Sequence, residues 1–440
     1  MRILLIVLLM AAAAPALSAQ APASPPSALP SGPLTLVEAI RLGRERGVNA
    51  SLARINERIT GARVSERRAD ILPSISGGAS VTRQTLNLDE FGIPIASGIT
   101  PAFNIWRFQV RAAQTVFDAS LITRLRAARD TAAAAGLDAQ AVGEMAGATA
   151  GLAYLRVLSA EETVRARESD STVAATLLSQ TRQLVQAGVN PIIDQTRSEV
   201  SFASVRTQLE VARNTLDRAR LDLLRTLDLP SNTSLTLADT LGVGSLAVPL
   251  DADSAAAYAE SHRAELAAEH ARTTAALRSL QSIRYENLPN LSVNGGYTES
   301  AQTLGSLAGT YNIQLLLSVP ILDGWRRQNR AKEQSARVEA QQIRERDLSN
   351  QVQTEARQSV LDLSSAQHQV SIASERVHLA EQELSQAEER LRAGVAGTVE
   401  TTNAQSSVIE AHDALIQARV NYGTARVTAY RALGIIDQLQ

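Results

Sequence analysis

Near the C-terminus a seven-residue hydrophobic repeat runs for longer than a globular domain can use. Leu363, Val370, Val377, Leu384 and Leu391 form one seam, and Ala366, Ala373, Ala380, Ala387 and Gly394 follow it three positions on. After a turn at Ala393-Gly394-Val395-Ala396-Gly397 the pattern resumes, with Val408, Leu415 and Tyr422 in one seam and Ala411, Ala418, Ala425 and Ala432 in the other. Such a repeat winds helices into a left-handed coiled coil, and an alanine seam lets the two backbones approach closely. The stretch Asp323 to Leu433 therefore reads as one helical hairpin. Its first arm, about 70 residues at about 1.5 Å each, is on the order of 100 Å long. A soluble coiled-coil spacer would show the same pattern.

The rest of the chain suits a rod better than a wide core. Its 440 residues hold only 14 aromatics, the net charge is -2, and there is no cysteine. That charge leaves no footprint for nucleic acid. The missing cysteines exclude disulfides, thiolate metal sites and lipidation at an N-terminal cysteine. Arg2, the apolar run Ile3 to Ala14 and the small residues around Ala16 to Ala19 read as a secretory signal peptide over 1–19, too short to span a membrane. A Pro/Ser/Ala-rich leader, expected to be disordered, follows over 20–33, and no later segment has the apolar length of a transmembrane helix.

The mature chain repeats itself. Thr35 can cap a first short helix ending near Gly47, and a second runs from about Asn49 to Leu72. Periodicity then changes from helical to alternating around 74–83 and again over 105–117, where Trp106, Phe108 and Val110 alternate with Arg107, Gln109 and Arg111. Helix returns at Asp118, turns at Gly188-Val189-Asn190-Pro191 and ends near Leu227, with Phe202, Leu209, Leu216 and Leu223 as its seam. Leu288-Pro289 repeats Leu72-Pro73, Leu322-Asp323 repeats Phe117-Asp118, and Gly394 follows Gly188 by 206 positions. The second strand pair, about 290–299 and 311–321, alternates more cleanly: Tyr297, Tyr311, Ile313, Leu315 and Leu317 face one way, Asn312 and Gln314 the other. The expected organisation is a first repeat over 34–228 with its tip at about 187–191, an irregular equatorial linker over 229–250, and a second repeat over 251–440 with its tip at about 393–397.

Alternation alone allows two small hairpins capping a soluble bundle. Three features favour a membrane instead. Nine of the 14 aromatics lie in the windows Phe91–Phe117 and Tyr285–Trp325, as girdles would. Each strand has the length a tilted strand needs to cross a bilayer. Export without a transmembrane helix permits an outer-membrane destination. Open sheet edges are not tolerated in lipid and closed barrels start at about eight strands, so at least two chains must contribute; three give twelve. Trp106, Phe108, Val110, Tyr297, Tyr311, Ile313, Leu315 and Leu317 would then face outer-membrane lipid, and Arg107, Gln109, Arg111, Asn312 and Gln314 a wet lumen.

These features together resemble the TolC-type outer-membrane efflux proteins over nearly all of the mature chain. The resemblance rests on Leu34 to Ile40, both Leu-Pro motifs, Val319-Pro320-Ile321-Leu322-Asp323-Gly324 and the two tips, Ala187-Gly188-Val189 through Asp194 and Ala393-Gly394-Val395 through Glu400. It implies a mainly α fold with a small transmembrane β part. Each protomer would supply four strands and long coiled-coil helices to a homotrimer with a twelve-stranded barrel above an α-barrel. The function it implies is a passive exit duct of a tripartite efflux pump or type I secretion system, seated in the outer membrane of a Gram-negative bacterium with its α-barrel in the periplasm. The energy would come from an inner-membrane transporter, reached through a periplasmic adaptor. The adaptor would dock on the tips at Gly188, Val189, Asn190, Pro191, Gly394, Val395, Ala396 and Gly397. Each tip glycine can equally be an ordinary helix C-cap. The resemblance places the periplasmic gate at Glu400, Asn403 and Asp194, with Asn403 in place of a second ring of acids. Ala396 and Leu391 stand where the family has a locking arginine and tyrosine, so the bonds holding this mouth must differ. Glu400 as a plain helix-start acid is the alternative.

Catalytic signals are missing. His262, His270, His368, His378 and His412 form no metal-ligand motif, and no Gly-rich phosphate loop or nucleophile triad is present. No enzyme activity and no cofactor are expected. A periplasmic structural or adaptor coiled coil without a pore stays open as the second reading.

Overall fold

The computed structural model describes residues 32–88, 98–241 and 251–439 apart from 394 and 396. The signal peptide, nearly all of the leader, Gly394 and Ala396 of the second tip, and the end of the linker lie outside the described residues. Two helices, α1 (Leu36–Arg46) and α2 (Val48–Ala69), lead into strands β1 (Ser74–Gln84) and β2 (Phe103–Phe117). A helical hairpin of α3 (Ala119–Gln186) and α4 (Ile192–Thr226) follows. The second half repeats the order with α5 (Ala252–His262), α6 (Ala264–Tyr285), β3 (Asn290–Ala301), β4 (Ala308–Ser318), α7 (Arg326–Arg392) and α8 (Thr398–Ala432). The long arms have 68 and 67 residues and both return arms have 35. At about 1.5 Å per residue each long arm measures about 100 Å.

Local chemistry explains where these elements begin and end. Thr35 and Glu38 form a capping box at α1, the Glu38 amide donating to Thr35 Oγ1 at 3.2 Å and the Thr35 amide to Glu38 Oε2 at 3.3 Å. Asp118 Oδ1 accepts from the amides of Ser120 and Leu121 at 2.8 and 3.1 Å and starts α3 at once. Its counterpart Asp323 acts differently. Gly324 and Trp325 take left-handed backbone, and Asp323 Oδ2 then accepts from the amide and the Nε of Arg327 at 3.1 and 2.7 Å. β4 stops at Ser318 rather than near 321, because Pro320 has no N–H for the ladder. It also begins earlier than its alternation suggested, at Ala308.

The helical rods have no thick core. In the second hairpin Leu363, Ala366, Val370 and Ala373 bury against Ala418 and Tyr422, and Ala380 against Val408 and Ala411. In the first hairpin the heptad Ser198, Val205 and Ala212 is buried, while of the expected seam Phe202, Leu209 and Leu216 are only half-buried and Leu223 is fully buried in the equatorial core. Away from the equator small side chains take the buried positions because they let α3 and α4 approach each other. The α3 helix also contacts α8, which joins the two hairpins side by side. Buried Arg167 on α3 clamps that contact, pairing with Asp170 at 2.8 Å and with Asp413 of α8. Burial pushes the Asp170 carboxyl above its usual range, against the pull of Arg167.

The largest apolar core lies at the equator, where the N-terminal helices, the linker and the last residues of the chain meet. Gly43 of α1 faces α3 so closely that a Cβ would come within 2.9 Å of the Ala146 carbonyl oxygen. The Tyr154 ring is fully buried. Its hydroxyl lies 2.9 Å from the Leu34 carbonyl and 2.8 Å from an Asp239 oxygen that also accepts the Leu36 amide at 2.7 Å. Burial and the Asp239 carboxylate hold this phenol well above its usual pKa, so it remains a donor. The described part of the linker is thereby stitched to α3 and to the start of α1, with Leu34 and Leu237 bridged in parallel. Nearby, Arg263 is 4% exposed and pairs with Glu355 at 2.6 Å and with Glu265, and Arg431 meets the same two acids at 3.7 and 3.1 Å.

Tyr154→Phe keeps the packing and deletes the hydroxyl, leaving buried acceptors short of a donor. The expected loss is about 1–2 kcal/mol, read as a lower midpoint in a near-ultraviolet circular dichroism melt of the detergent-solubilised protein. Tyr311→Phe, on an exposed ring, should melt with the wild type. Equal midpoints for all three proteins would refute this role.

Candidate functional site: a two-faced sheet and two helical tips

The four strands form one antiparallel sheet in chain order, and its register decides which side chains share a face. Residues directly opposite in an antiparallel pair point to the same side. Gly77, Val110, Tyr297 and Tyr311 make one such row across all four strands, and Ile75, Ala112, Gly295 and Ile313 the next. Val81 with Trp106, Ala79 with Phe108, Val293 with Leu315 and Leu291 with Leu317 extend the same face. Trp106, Phe108, Val110, Tyr297, Tyr311, Ile313, Leu315 and Leu317 thus all lie on one side. A bulge between Thr115 and Phe117 shifts the parity of β2, so Phe117 sits opposite Leu291 and joins that side too. Much of this apolar face is uncovered in the protomer: Tyr311 is 80% exposed, Ile313 78%, Leu315 66% and Leu317 63%. A contiguous apolar surface of this kind requires a cover. The other face carries Arg107, Gln109, Arg111, Asn312 and Gln314 among serine, threonine and glycine.

Directly below the sheet, Glu286 at the end of α6 gathers the helices. Its carboxylate pairs with Arg124 of α3 and with Arg330 of α7, the latter at 2.8 Å, and its carbonyl accepts from Arg327 at 3.0 Å. The helices therefore leave the strands as a fixed group.

At the far end the described residues of the two tips share a capping bond. Gly188 has φ +71°, its amide donates to Val185 O at 3.0 Å, and the Val189 amide reaches back to Leu184 O at 3.0 Å. These are the paired bonds of a Schellman turn. In the second tip the Val395 amide reaches Arg390 O at 3.0 Å, the matching bond 206 positions on. Pro191 and Gly397 then hold extended backbone before α4 and α8, which makes Asp194 and Glu400 equivalent third residues of their helices. Each acid is held within its own hairpin. Asp194 is 9% exposed, accepts from Asn190 Nδ2 at 3.3 Å and lies 3.5 Å from Arg197. Glu400 pairs across the turn with Arg390 at 3.0 Å. Among the described residues no hydrogen bond or ion pair joins Asp194 to Glu400, and Asn403 is exposed one turn further along α8. Across the first hairpin, Arg182 and Gln195 hold the exposed Glu199 carboxyl below its usual range.

Arg390 and Arg197, the partners of the two acids, were missed in the sequence. Arg390 was within reach of spacing arguments, because a five-residue turn brings the last turn of α7 opposite the first of α8. The exposed apolar residues Ile192, Ile193 and Val399 were also missed; with Val189 and Val395 they form an uncovered rim at the tips. Among the described residues no helix is long and apolar enough to cross a membrane, and no group of His, Asp and Glu is placed to hold a metal.

The sheet, the Glu286 cluster and the tips are arranged as in one class of protein. The outer membrane efflux protein family matches residues 44–227 and 257–435, and the chain belongs to that family. It is an outer-membrane efflux channel protein, and its family and structural neighbours are channels rather than enzymes. The pyoverdine export outer membrane protein OpmQ of Pseudomonas putida is 24% identical over 420 residues, covering 91% of this chain and 85% of that protein. The fold matches that of the transmembrane channel protein CusC, with TM-score 0.80, 16% identity and coverage of 91% and 92%. It matches equally the outer-membrane channel OprN, with TM-score 0.80, 18% identity and coverage of 91% and 89%.

Gly188→Ala forces a Cβ into left-handed backbone at a cost of about 1–2 kcal/mol. The expected result is faster amide hydrogen exchange at Val189 and Asn190, both of which donate to Leu184 O, with exchange in the equatorial core unchanged. Unaltered exchange at the tip would show that the turn does not depend on this glycine.

Proposed function

We propose that three copies of this chain close into a twelve-stranded barrel and form the passive exit duct of a tripartite efflux pump or type I secretion system. The observation that carries the proposal is the predominantly apolar face of a four-stranded sheet whose two outer strands lack neighbours within the chain. β1 and β4 run antiparallel to each other, so β4 of one copy continues the alternation against β1 of the next. Strands of 11 to 15 residues, tilted by about 40°, span the roughly 25 Å apolar band of an outer membrane. Trp106, Phe108, Val110, Tyr297, Tyr311, Ile313, Leu315 and Leu317 then meet lipid, and the polar face lines the lumen. The α-helices carry that lumen on into the periplasm.

The tips dock a periplasmic adaptor through Gly188, Val189, Asn190, Pro191 and the turn 394–397, with the exposed rim of Val189, Ile192, Ile193, Val395 and Val399 supporting that use. The adaptor links the duct to an inner-membrane transporter, which supplies the energy; the chain itself performs no catalytic step. Asp194, Glu400 and Asn403 form the gate region. Because Glu400 is paired with Arg390, each tip offers nearly balanced charge rather than a free acidic ring.

Two adjacent leucines test the barrel. Leu315 lies on the apolar face and Leu316 on the polar one. Leu315→Arg should remove the trimer from the outer-membrane fraction, since arginine facing lipid near the midplane costs about 2–4 kcal/mol per chain; Leu316→Arg should assemble. A periplasmic coiled coil without a pore would tolerate both, and that outcome would sink the duct.

The gate is tested by conductance in planar bilayers. Glu400→Ala leaves Arg390 without its partner and should shift ion preference toward anions, and Glu400→Ala/Arg390→Ala should reverse that shift. A conducting channel indifferent to both changes would remove Glu400 from the gate.

A further inference from the structure

We propose that the barrel section of the duct favours anionic cargo, with Arg107 and Arg111 as the side chains that meet its negative groups. This rests on the trimeric duct proposed above and names the substrate class of that lumen.

The strands carry four charged residues: Arg83, Arg107, Arg111 and Glu299. Register separates them. Glu299 stands opposite Phe108 and Gly309, on the apolar face, where Tyr297 Oη donates to it at 3.0 Å. Arg83 follows Val81 on that same side, at the end of β1. Arg107 and Arg111 are on the polar face, and the strands place no carboxylate beside them. Asp118, the acid nearest in sequence, follows β2 and caps α3 through the amides of Ser120 and Leu121, and Asp89 and Glu90 belong to the segment outside the described residues.

The surroundings leave both guanidinium groups available. Arg107 lies between Ser80 of β1 and Ser300 of β3, and Arg111 between Ser76 and Gly296. These neighbours are too small to cover an arginine and carry no charge. Arg111 Nη2 donates to Gln109 Oε1 at 3.0 Å, a contact that orients the group without neutralising it. The helix arginines described above, Arg124, Arg167, Arg182, Arg197, Arg263, Arg327, Arg330, Arg390 and Arg431, are all paired with carboxylates.

Closure multiplies the effect. Four residues along a strand separate the two arginines by about 14 Å, so a trimer carries two tiers of three positive charges. Twelve strands about 4.8 Å apart, tilted by about 40°, enclose a backbone radius of about 12 Å. An arginine reaching inward brings its charge within about one Debye length of the axis, roughly 8 Å at physiological salt. A solute on the axis therefore feels both tiers. Rings of Arg or Lys are the arrangement that selects anions in pores. Cargo bearing carboxylate, phosphate or sulfate groups is drawn through this section, and cationic cargo is opposed.

The test is the chloride-to-potassium permeability ratio of the full-length channel in planar bilayers under a potassium chloride gradient. It is made in the Glu400→Ala/Arg390→Ala background, so that this pair contributes no ring of charge at the tip. Adding Arg107→Gln/Arg111→Gln should lower the ratio at least twofold, while Arg107→Lys/Arg111→Lys, which keeps the charge, should preserve it. A conducting glutamine variant with an unchanged ratio overturns the anion proposal and leaves the duct standing. If none of these channels conducts, the duct reading fails and this proposal falls with it. A glutamine variant that does not assemble while the lysine variant does is replaced by the two single glutamine changes, each of which should lower the ratio; an unchanged ratio in both overturns the proposal.

Discussion

A sheet that is apolar on one face cannot stand in hydrocarbon with open edges, because each unpaired N–H and C=O there costs several kcal/mol. That constraint governs this protein. β1 and β4 each pair on one side only within the chain, and the face they bound is dominated by exposed tyrosine, isoleucine and leucine. Lipid satisfies the face, and only further strands satisfy the edges. The even strand count and the antiparallel relation of β1 to β4 make a second copy of the same chain a suitable neighbour. The chain therefore has an assembly problem built into it that the helices below must respect.

The helices respect it by being stiff, thin and tied at two levels. A rod about 100 Å long buries little per turn, so its stability comes from close approach along alanine-rich seams rather than from large side chains. What fixes the rods relative to one another is concentrated elsewhere. Glu286 binds α3 and α7 immediately beneath the sheet, and the equatorial core joins both repeats around Tyr154, Leu223 and Val427. Between that core and the tips, buried Arg167 holds the first hairpin to the second. The parts of the molecule beyond these ties are its two ends, the sheet and the tips, where a channel has to meet its surroundings.

Charge is distributed unevenly along this path. At the tips each acid has a basic partner within its own hairpin, so the turns present apolar rims and nearly balanced charge. In the sheet, two arginines share the polar face with uncharged neighbours. A solute moving outward would leave a region of compensated charge and enter one of uncompensated positive charge. The arrangement suits a duct in which one end is built for contact with another protein and the other for release.

The sequence by itself determined the elements: heptads marked the hairpins, period-two alternation marked the strands, and the matching of Gly188 with Gly394 revealed the duplication. These signals are local, since helix and strand periodicities and turn residues act within a few positions along the chain. Tertiary structure decided what depends on two segments meeting. Along its outer length the first hairpin buries Ser198, Val205 and Ala212 more fully than Phe202, Leu209 and Leu216, the more apolar row, because helix separation there is set by the smaller side chains; Leu223 of that row is fully buried only where it reaches the equatorial core. The bulge at Thr115 returns Phe117 to the apolar face only through its pairing with β3. Arg390 becomes the partner of Glu400 only when the hairpin closes, and Glu299 parts from Arg107 only when the register of β2 against β3 is set. Periodicity can tell which residues share a face of one element. Which faces and charges come together is settled by pairing across tens or hundreds of residues, where the free energy of contact, and not local preference, makes the choice.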